Sequence, residues 1–321
     1  MTKNTRELRV TTFGARPDLV ETAPRVPDEG QIAVEVHACA LNFSDLLMIE
    51  GTYQETPKPP FTLGMEWAGV VTALGVGVTG FAVGDRVAAF TGQGGLATTT
   101  LCRATDAIKL PDALSLEAAA ALPVAYGTSH LALRKAALSA GERLVVTGAA
   151  GGVGLTAVEI GKSMGADVIA IARGADKLAV AEAAGADHLI DADDPDLRLR
   201  LKDLGGADVV YDAVGGTLFA PCLSGTKPGG RYLAIGFAGG VPEVKANHLL
   251  VKNISLIGFY WGAYRQLDPV AFHGSLVQIM TWAAEGRIRP HVSHRYGLDD
   301  WEEALACLRE RRSTGKIVVL P

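Results

Sequence analysis

The stretch Arg143–Gly154, RLVVTGAAGGVG, decides the fold of this chain. A β-branched strand runs directly into a glycine cluster, and the cluster opens a helix. Gly151 lets the backbone approach a pyrophosphate, Gly154 allows close packing of helix on strand, and the helix N-terminus offers N–H groups to phosphates. The usual fingerprint is GxGxxG, whereas here Ala149 takes the first position and Gly148 precedes it. We therefore predict a dinucleotide-binding turn, with a glycine-rich turn that binds nothing as the alternative.

The same stretch and the strand after it predict which dinucleotide is bound. An NAD site carries a carboxylate about 20 residues after the turn, on the ribose 2′-hydroxyl. The second strand, Val168–Ala172, is followed by Arg173, with Lys177 one turn into the next helix. These cations suit a 2′-phosphate, so we predict NADPH; the alternative is two solvated surface charges. The turn residues expected to contact the cofactor are Ala150, Gly151, Gly152 and Val153.

The pattern on either side of the turn predicts an α/β fold. From Arg143 onward strands alternate with helices, which implies right-handed βαβ crossovers and a parallel sheet. Six strands are expected here: Arg143–Thr147, Asp167–Ala172, Asp187–Ile190, Ala207–Tyr211, Arg231–Ile235 and Ile254–Gly258. The first third is rich in strand and turn signals, and the last sixty residues are mixed. We predict a nucleotide-binding domain inserted into a mostly β domain that is built from both chain ends.

Composition excludes several classes of function. The 321 residues exceed what one hydrophobic core comfortably supports, so two domains are expected. The net charge of −5 provides no long-range attraction for nucleic acid or an anionic membrane. The start of the chain lacks the apolar segment of a secretory signal, and no apolar run is long enough to span a bilayer. Four scattered cysteines argue against a disulfide scaffold or a structural zinc site. We expect a cytoplasmic protein without a nucleic-acid or membrane partner.

Beyond these patterns, the chain resembles the medium-chain dehydrogenase/reductase superfamily, and within it the zinc-free quinone oxidoreductase branch that includes zeta-crystallin. The matching stretches are Leu41–Tyr53, Leu63–Val71, Gly84–Val87, Val124–His130, Val145–Gly154 and Asn253–Gly258. The resemblance implies a doubly wound parallel (Rossmann) sheet inserted into a mostly β GroES-like catalytic domain. It places the catalytic domain at 1–124, completed by 262–321, and the NADPH-binding domain at 125–261.

The zinc ligands of metal-dependent relatives are replaced in this chain. Asn42 stands where those relatives begin a C-x-[ST]-D segment, and Met65 stands where they carry the His of a G-H-E segment. A third ligand would fall near Pro123–Ala125, where there is neither Cys nor His. A catalytic zinc needs three such ligands and one open position, so we predict that no metal is bound.

The resemblance also assigns candidate catalytic residues. Asn42 is expected to face the nicotinamide and the acceptor, with a helix cap over Ser44–Met48 as the alternative. Asp45 orients its neighbours or caps the same helix. Tyr53 resembles the family's active-site tyrosine and would donate a hydrogen bond or a proton; the alternative is a loop tyrosine that covers core. Glu66 is expected to be structural.

Further candidates concern the cofactor and the acceptor. Tyr126 and Thr128 resemble residues that line the cofactor cleft, and Lys316 resembles a weaker cofactor contact. Phe237 follows a strand C-terminus, where ligands of open α/β sheets bind, and is expected to flank the nicotinamide unless it packs in the core. Trp261 and Arg265 are candidates for an aromatic wall with one cation at the substrate mouth, or for an interface patch.

The family resemblance predicts a homodimer, in which the strand near Leu256 pairs with its twin in a second subunit. An uncovered edge strand would otherwise be a liability.

Three functions remain open. Without a Lewis acid, the accessible chemistry is hydride delivery to an acceptor that is already electrophilic. The first hypothesis is an NADPH-dependent quinone oxidoreductase. The second is an NADPH-dependent reductase of activated C=C bonds in enals, enones or 2-substituted acrylates, where Arg265 would bind an acrylate carboxylate. The third is a non-enzymatic NADPH-binding structural protein.

Overall fold

The structure is a computed structural model that describes residues 4–321; Met1–Lys3, which the expectation for the start of the chain includes, lie outside the described residues. The strands are β1 Thr5–Val10, β2 Asp18–Thr22, β3 Gln31–Ala40, β4 Phe61–Thr62, β5 Glu66–Leu74, β6 Arg86–Phe90, β7 Thr99–Arg103, β8 Ala107–Lys109, β9 Arg143–Thr147, β10 Asp167–Ala172, β11 His188–Asp191, β12 Ala207–Asp212, β13 Thr226–Ala234, β14 Ser255–Gly258, β15 Val292–Gly297 and β16 Lys316–Leu320.

Eleven α-helices connect these strands within residues 4–321. They are α1 Phe43–Ile49, α2 Leu116–Ala120, α3 Pro123–Lys135, α4 Gly152–Ser163, α5 Ala175–Ala183, α6 Leu197–Asp203, α7 Gly216–Gly225, α8 Ala246–Lys252, α9 Tyr264–Leu267, α10 Pro269–Ala284 and α11 Trp301–Arg309. None of the described helices is both long enough and apolar enough to cross a bilayer.

The chain forms two compact units, and one predicted boundary between them needs correction. The first unit runs to Val124 and resumes at Leu276, and the second is Ala125–Ser275. The first boundary lies where it was predicted, whereas the second lies later than the predicted end at 261. The reason is local packing: the ring of Trp261 lies 4.6 Å from that of Phe272, centroid to centroid, and the segment between them stays with the second unit.

The second unit contains a six-stranded parallel sheet in the order β11-β10-β9-β12-β13-β14. This is the doubly wound order, in which the topological switch point lies between β9 and β12, and ligands bind beyond the carboxyl ends of the strands. All six predicted strands are confirmed, with ends displaced by a few residues. The largest displacement is at β13, which begins at Thr226, before the predicted start at Arg231.

The first unit contains two sheets. Strands β2, β1 and β4 form a small antiparallel sheet, and seven strands form a larger one in the order β15-β16-β3-β5-β6-β8, with β7 pairing β3. The centre of the larger sheet is important for the site. Ala40, the last residue of β3, lies opposite Glu66 on β5 on one side and opposite Val318 on β16 on the other. This register brings three distant parts of the sequence to one end of the sheet.

Candidate active-site residues

The turn between β9 and α4 has the geometry that the sequence predicted for phosphate binding. Gly148 adopts φ +63°, the left-handed conformation that favours glycine, so it provides the tight turn that Ala149 cannot. A Cβ on Gly154 would lie 2.1 Å from the carbonyl oxygen of Gly148, so a larger residue would collide with the turn. The missing first glycine of the fingerprint is therefore replaced by the glycine one position earlier.

The first turn of α4 presents backbone N–H groups that no side chain caps. Gly151 is the N-cap residue, has no side chain to accept a hydrogen bond, and is exposed. Gly152 and Val153 follow it and are half-buried, whereas Ala150 is buried. Helix N-termini carry a partial positive charge and attract anions. The residues of this turn fit the pyrophosphate of a dinucleotide. Gly151–Val153 are the most accessible of them.

Buried hydroxyl groups hold this helix terminus from behind. Ser129 and Thr156 both donate a hydrogen bond to the carbonyl oxygen of Val153, each at 3.0 Å. The Ser129 hydroxyl also lies 3.0 Å from the phenol oxygen of Tyr211 on β12. These contacts fix the position of the first turn of α4 relative to the sheet, which is what a preformed phosphate site requires.

Tyr126 makes a buried contact inside the second unit, and its predicted cofactor contact stays a prediction. Its hydroxyl donates a 2.5 Å hydrogen bond to the Glu159 carboxylate of α4. The phenol is buried, and this burial raises its pKa. The structure therefore gives Tyr126 a packing role between α3 and α4. Thr128 is buried in the same helix, and its predicted cofactor contact stays a prediction.

The predicted 2′-phosphate site carries cations and, unexpectedly, two carboxylates. Arg173 follows β10, is well exposed, and makes an ion pair with Asp193, with 3.0 Å between Nε and Oδ2. Asp191, the last residue of β11, accepts a 3.1 Å hydrogen bond from the Gly174 N–H. Lys177 lies half-buried in the first turn of α5. Exposed ion pairs contribute little free energy, so Asp193 leaves Arg173 able to exchange partners.

A buried carboxylate at the end of β12 organises the edge of the sheet next to the glycine turn. Oδ1 of Asp212 accepts hydrogen bonds from the Thr147 hydroxyl and from the backbone N–H groups of Val214, at 3.0 Å, and Gly215, at 2.9 Å. Oδ2 accepts from the Tyr232 hydroxyl at 2.7 Å. The carboxylate thus fixes the loop that follows β12.

Sequence reasoning did not identify Asp212, although a signal was present. An acidic residue directly after a predicted parallel strand lies at the edge where ligands bind. The same rule singled out Arg173 after β10 and Phe237 after β13. Phe237 is 48% exposed, which excludes core packing for this side chain. It lies at the predicted edge of the sheet and packs beside Gly215.

In the first unit, Asn42 lies over a buried ion pair. Lys316 and Glu66 are both buried, and the Lys316 ammonium lies 2.8 Å from Oε1 of Glu66. The ammonium donates two further hydrogen bonds, to the Leu41 carbonyl oxygen at 2.8 Å and to Oδ1 of Asn42 at 2.7 Å. Asn42 itself is half-buried, so it is the member of this group that reaches the surface.

This arrangement corrects the prediction for Lys316. An ammonium has three N–H donors, and here all three have partners inside the first unit. Lys316 is therefore placed to hold Asn42 rather than to contact a cofactor. Glu66 uses both carboxylate oxygens: Oε1 accepts from Nδ2 of Asn42 at 2.8 Å, and Oε2 accepts from the Val124 N–H at 2.8 Å. Its expected structural role agrees with these contacts.

Asp45 is buried and contacts the backbone of Asn42. It lies in the first turn of α1, is fully buried, and Oδ2 accepts a 2.7 Å hydrogen bond from the backbone N–H of Asn42. Burial raises the pKa of this carboxyl to about 7, against the opposing effect of the Asn42 hydrogen bond. Asn42 is the N-cap residue of α1, and its side chain bonds to Glu66 and Lys316; its predicted role at the nicotinamide and the acceptor stays a prediction.

The remaining candidates are Tyr53, Trp261 and Arg265, and they differ in their surroundings. Tyr53 lies half-buried in the turn after α1, where its carbonyl oxygen accepts from Thr56. Trp261 is buried against Gly127 and Phe272, so the predicted substrate wall at Trp261 is wrong. Arg265 is half-buried in α9 and keeps its predicted role as a candidate cation.

The residues in the positions of lost zinc ligands make contacts of their own. The Ser44 hydroxyl contacts the Met65 sulfur, and Asn42 is engaged as described above. Across residues 4–321, no group of three or more His, Cys, Asp or Glu side chains is arranged to hold a metal ion.

Comparison with known families covers both units. A family model for zinc-binding dehydrogenases matches residues 152–273, and one for the GroES-like domain of alcohol dehydrogenases matches residues 28–112. The predicted GroES-like fold of the first unit and Rossmann fold of the second are thereby confirmed.

Individual relatives agree with these matches. A quinone oxidoreductase-like protein 2 homolog of Nematostella vectensis is 39% identical over 297 residues, which is 90% of this chain and 81% of the relative. Quinone oxidoreductase-like protein 2 of Bos taurus is 38% identical over 95% of this chain and 89% of its own. The crystal structure of Escherichia coli quinone oxidoreductase complexed with NADPH superposes with a TM-score of 0.91 at 30% identity, covering 98% of this chain and all of that one.

Proposed function

Because the chain belongs to the quinone oxidoreductase family of the medium-chain dehydrogenases/reductases, it is an NADPH-dependent oxidoreductase, and we propose that it reduces a quinone. Bound NADPH supplies a hydride, and the quinone also takes up a proton from solvent to give the hydroquinone. The observation that carries the proposal is the half-buried Asn42 amide above the buried Glu66–Lys316 pair, because it offers a fixed hydrogen-bonding group to a carbonyl acceptor.

The second unit supplies the cofactor site in this proposal. The uncapped N–H groups of Gly152 and Val153 would bind the pyrophosphate, which the absence of a side chain at Gly151 lets approach the backbone, and Arg173 and Lys177 would bind the 2′-phosphate. Phe237 would pack against the nicotinamide. Its exposure and its place after β13 support that role, and the Asp212 hydrogen bonds to the neighbouring loop keep this edge of the sheet rigid.

The first unit supplies the acceptor-binding groups. Asn42 and Tyr53 bind the acceptor oxygen that gains electron density as the hydride arrives, which stabilises the charge developing in the transition state. We propose that no metal takes part, because an amide and a thioether stand at Asn42 and Met65, where zinc requires thiolate or imidazole ligands. The buried Asp45 contributes by holding the backbone of Asn42.

Reduction of an activated C=C bond is the second candidate, and one residue favours it. The hydride geometry is the same for both reactions, so the acceptor pocket decides between them. Arg265 would bind the carboxylate of a 2-substituted acrylate, which a neutral quinone does not carry. The non-enzymatic alternative receives no support from the oxidoreductase relatives.

A steady-state screen tests the proposed acceptor. NADPH oxidation is followed by its absorbance while benzoquinones, naphthoquinones, enals, enones and 2-substituted acrylates are offered in turn. The proposal predicts the highest kcat/KM with a quinone and little change in that value for the Arg265→Ala variant. Turnover of an alkene without turnover of any quinone would reject the proposal, and loss of acrylate turnover in Arg265→Ala would assign the cation to that substrate.

We also propose that the protein is a homodimer through β14, in line with the family resemblance. Among the described strands β14 pairs only with β13, so its outer edge has unpaired backbone groups. The adjacent helix α8 exposes two apolar side chains, Leu250 and Val251, each 79% exposed. The variant Leu250→Glu with Val251→Glu should reduce the mass in light scattering from twice the chain mass of 33.5 kDa to one chain. An unchanged mass would place the interface elsewhere.

We also propose a cytoplasmic location. All four cysteines are buried free thiols, which is the usual state in a reducing compartment. Localisation of a tagged protein tests it, and secretion would contradict it.

A further inference from the structure

We propose that Lys316 and Glu66 are positioning residues that fix the Asn42 side-chain amide in one orientation, so that it presents an N–H donor, and not a carbonyl acceptor, to the substrate. The inference rests on the proposed function, because it assigns how Asn42 recognises the acceptor. It extends that function to a substrate class: compounds with a carbonyl oxygen that accepts a hydrogen bond.

The orientation of the amide follows from two independent contacts. Oδ1 of Asn42 lies 2.7 Å from the Lys316 ammonium, which can only donate, so the atom facing it must be an acceptor. Nδ2 lies 2.8 Å from Oε1 of Glu66, the oxygen that also accepts from the Lys316 ammonium. Rotating the amide by half a turn would oppose donor to donor and acceptor to acceptor at the same time.

The same contacts leave one N–H of Asn42 loosely bound. Nδ2 carries two hydrogens, and one of them is used by Glu66. The other protein acceptor of Nδ2 is the Ala40 carbonyl oxygen, at 3.4 Å, which is longer than a well-formed hydrogen bond. Because the Lys316 charge withdraws electron density from Oδ1, this second N–H becomes a stronger donor. A substrate oxygen can replace the weak Ala40 contact.

Glu66 must be a carboxylate for the arrangement to hold. Its Oε1 accepts from both Lys316 and Asn42, while Oε2 accepts from the Val124 N–H. A glutamine has one acceptor and one donor end, so either placement sets its NH₂ group against another donor. The partners of both carboxylate oxygens therefore require a glutamate at position 66.

The sheet register explains why three remote segments meet here. Lys316 begins β16 and Glu66 begins β5, and both strands flank the end of β3 that leads into Asn42. Asn42 is the exposed end of the group, whereas Lys316 and Glu66 have no surface of their own to offer a ligand. Their influence on the reaction must pass through Asn42.

The first test observes the Asn42 amide directly and needs no turnover. The chain has four asparagines, Asn4, Asn42, Asn247 and Asn253, so selective ¹⁵N-asparagine labelling gives four side-chain NH₂ signals, and Asn42→Ser assigns one of them. We expect Lys316→Met to move the Asn42 signal and bring its two proton shifts together as the amide begins to rotate. The control Lys227→Met removes an ion pair of similar length but greater exposure, with Asp208 in the second unit, and should leave the Asn42 signal unchanged. An unmoved Asn42 signal in Lys316→Met would overturn the inference.

The second test is a double-mutant cycle on turnover. Lys316→Met and Asn42→Ser should each lower kcat for a quinone by about 10- to 100-fold, with the Kd of NADPH changed less than about threefold. The double variant should be no slower than Asn42→Ser alone, because Lys316 acts only through Asn42. Additive losses would contradict the inference.

Folding failure and failure of the proposed function have separate signatures. If Lys316→Met does not fold, Glu66→Gln provides the second variant: it keeps the side-chain size and is expected to disturb the same NMR signal. If the wild-type protein reduces no quinone, the proposed acceptor is wrong, yet the NH₂ spectra still decide whether Lys316 and Glu66 orient Asn42.

Discussion

The glycine turn of the second unit and the Asn42 group of the first unit are two sites built in opposite ways. The turn is made of backbone groups within a dozen consecutive residues. Its shape is possible because the glycines in it carry no side chain. The Asn42 group is made of side chains from the N-cap of α1 and from strands β5 and β16, and Lys316 lies 274 positions from Asn42 in the sequence. A local site of backbone groups tolerates no added atoms, whereas a dispersed site of side chains depends on every partner being present.

We expect the largest effect, on NADPH affinity, from adding one methyl group to the glycine turn. In Gly154→Ala the added Cβ would lie 2.1 Å from the Gly148 carbonyl oxygen, so the two atoms would collide. We expect NADPH affinity to fall roughly 1000-fold, about 4 kcal/mol, in fluorescence titration. The control Gly274→Ala lies in α10 with no heavy atom near the added methyl, and should bind NADPH as the wild type does. Equal affinity in both variants would show that the turn does not need a glycine at 154.

The next effect concerns the Asn42 group and appears as a pH dependence of stability. The pKa of Asp45 is about 7 in the folded state and near 3.8 in the unfolded state. Between these values the folded state binds more protons, so stability falls as pH rises and levels off above about 7. The loss is on the order of 4 kcal/mol for a shift of this size. Asp45→Asn should lack it, and parallel Tm curves for wild type and variant between pH 4 and 8 would refute the assignment.

A smaller effect should separate the two phosphate positions of the cofactor. Arg173→Ala with Lys177→Ala removes the cations for the 2′-phosphate and leaves the turn intact. Charge-assisted hydrogen bonds are worth about 2 kcal/mol, so NADPH should bind about 30-fold more weakly and NADH nearly unchanged. Arg200→Ala, which removes another exposed ion pair, with Asp194, is the control. Equal losses for both cofactors would exclude a 2′-phosphate site here.

The smallest effect tests the edge of the sheet beside the turn. Tyr232→Phe removes the hydrogen bond to Oδ2 of Asp212 and leaves the three on Oδ1. We expect a loss of about 1 kcal/mol in the free energy of unfolding, measured by urea denaturation, with NADPH affinity preserved. A large loss of affinity would mean that Oδ2, and not Oδ1, holds the loop after β12.

The contrast between the sites also explains what could be predicted from sequence. The turn and the strands of the parallel sheet were predictable because strand periodicity and glycine positions are local signals. Asn42 was identified, but its partners were not, because Lys316 and Glu66 become its neighbours only through the pairing of β16, β3 and β5. Trp261 was misread because an aromatic residue after a strand fits a pocket wall and a core equally well, and only the packing against Phe272 decides.

The acidic residues show the same limit on a smaller scale. Asp212 and Asp191 each end a strand and were visible in the sequence, yet both accept hydrogen bonds from backbone N–H groups whose directions only the folded loops define. The pairing of Arg173 with Asp193 likewise depends on how the loop after β11 is placed beside β10. The motif therefore predicts a cofactor site, but it does not predict the charges around that site.

The most direct test of the central claim is a single-turnover measurement on protein treated with a chelator and shown by elemental analysis to be free of zinc. Enzyme bound to NADPH is mixed rapidly with excess quinone, and the decay of NADPH absorbance is followed beside that of Asn42→Ser. The account predicts stoichiometric hydroquinone at a rate that added zinc does not raise, and a rate about 10- to 100-fold slower in the variant. Absence of oxidation until zinc is restored, or equal rates in the two proteins, would contradict it.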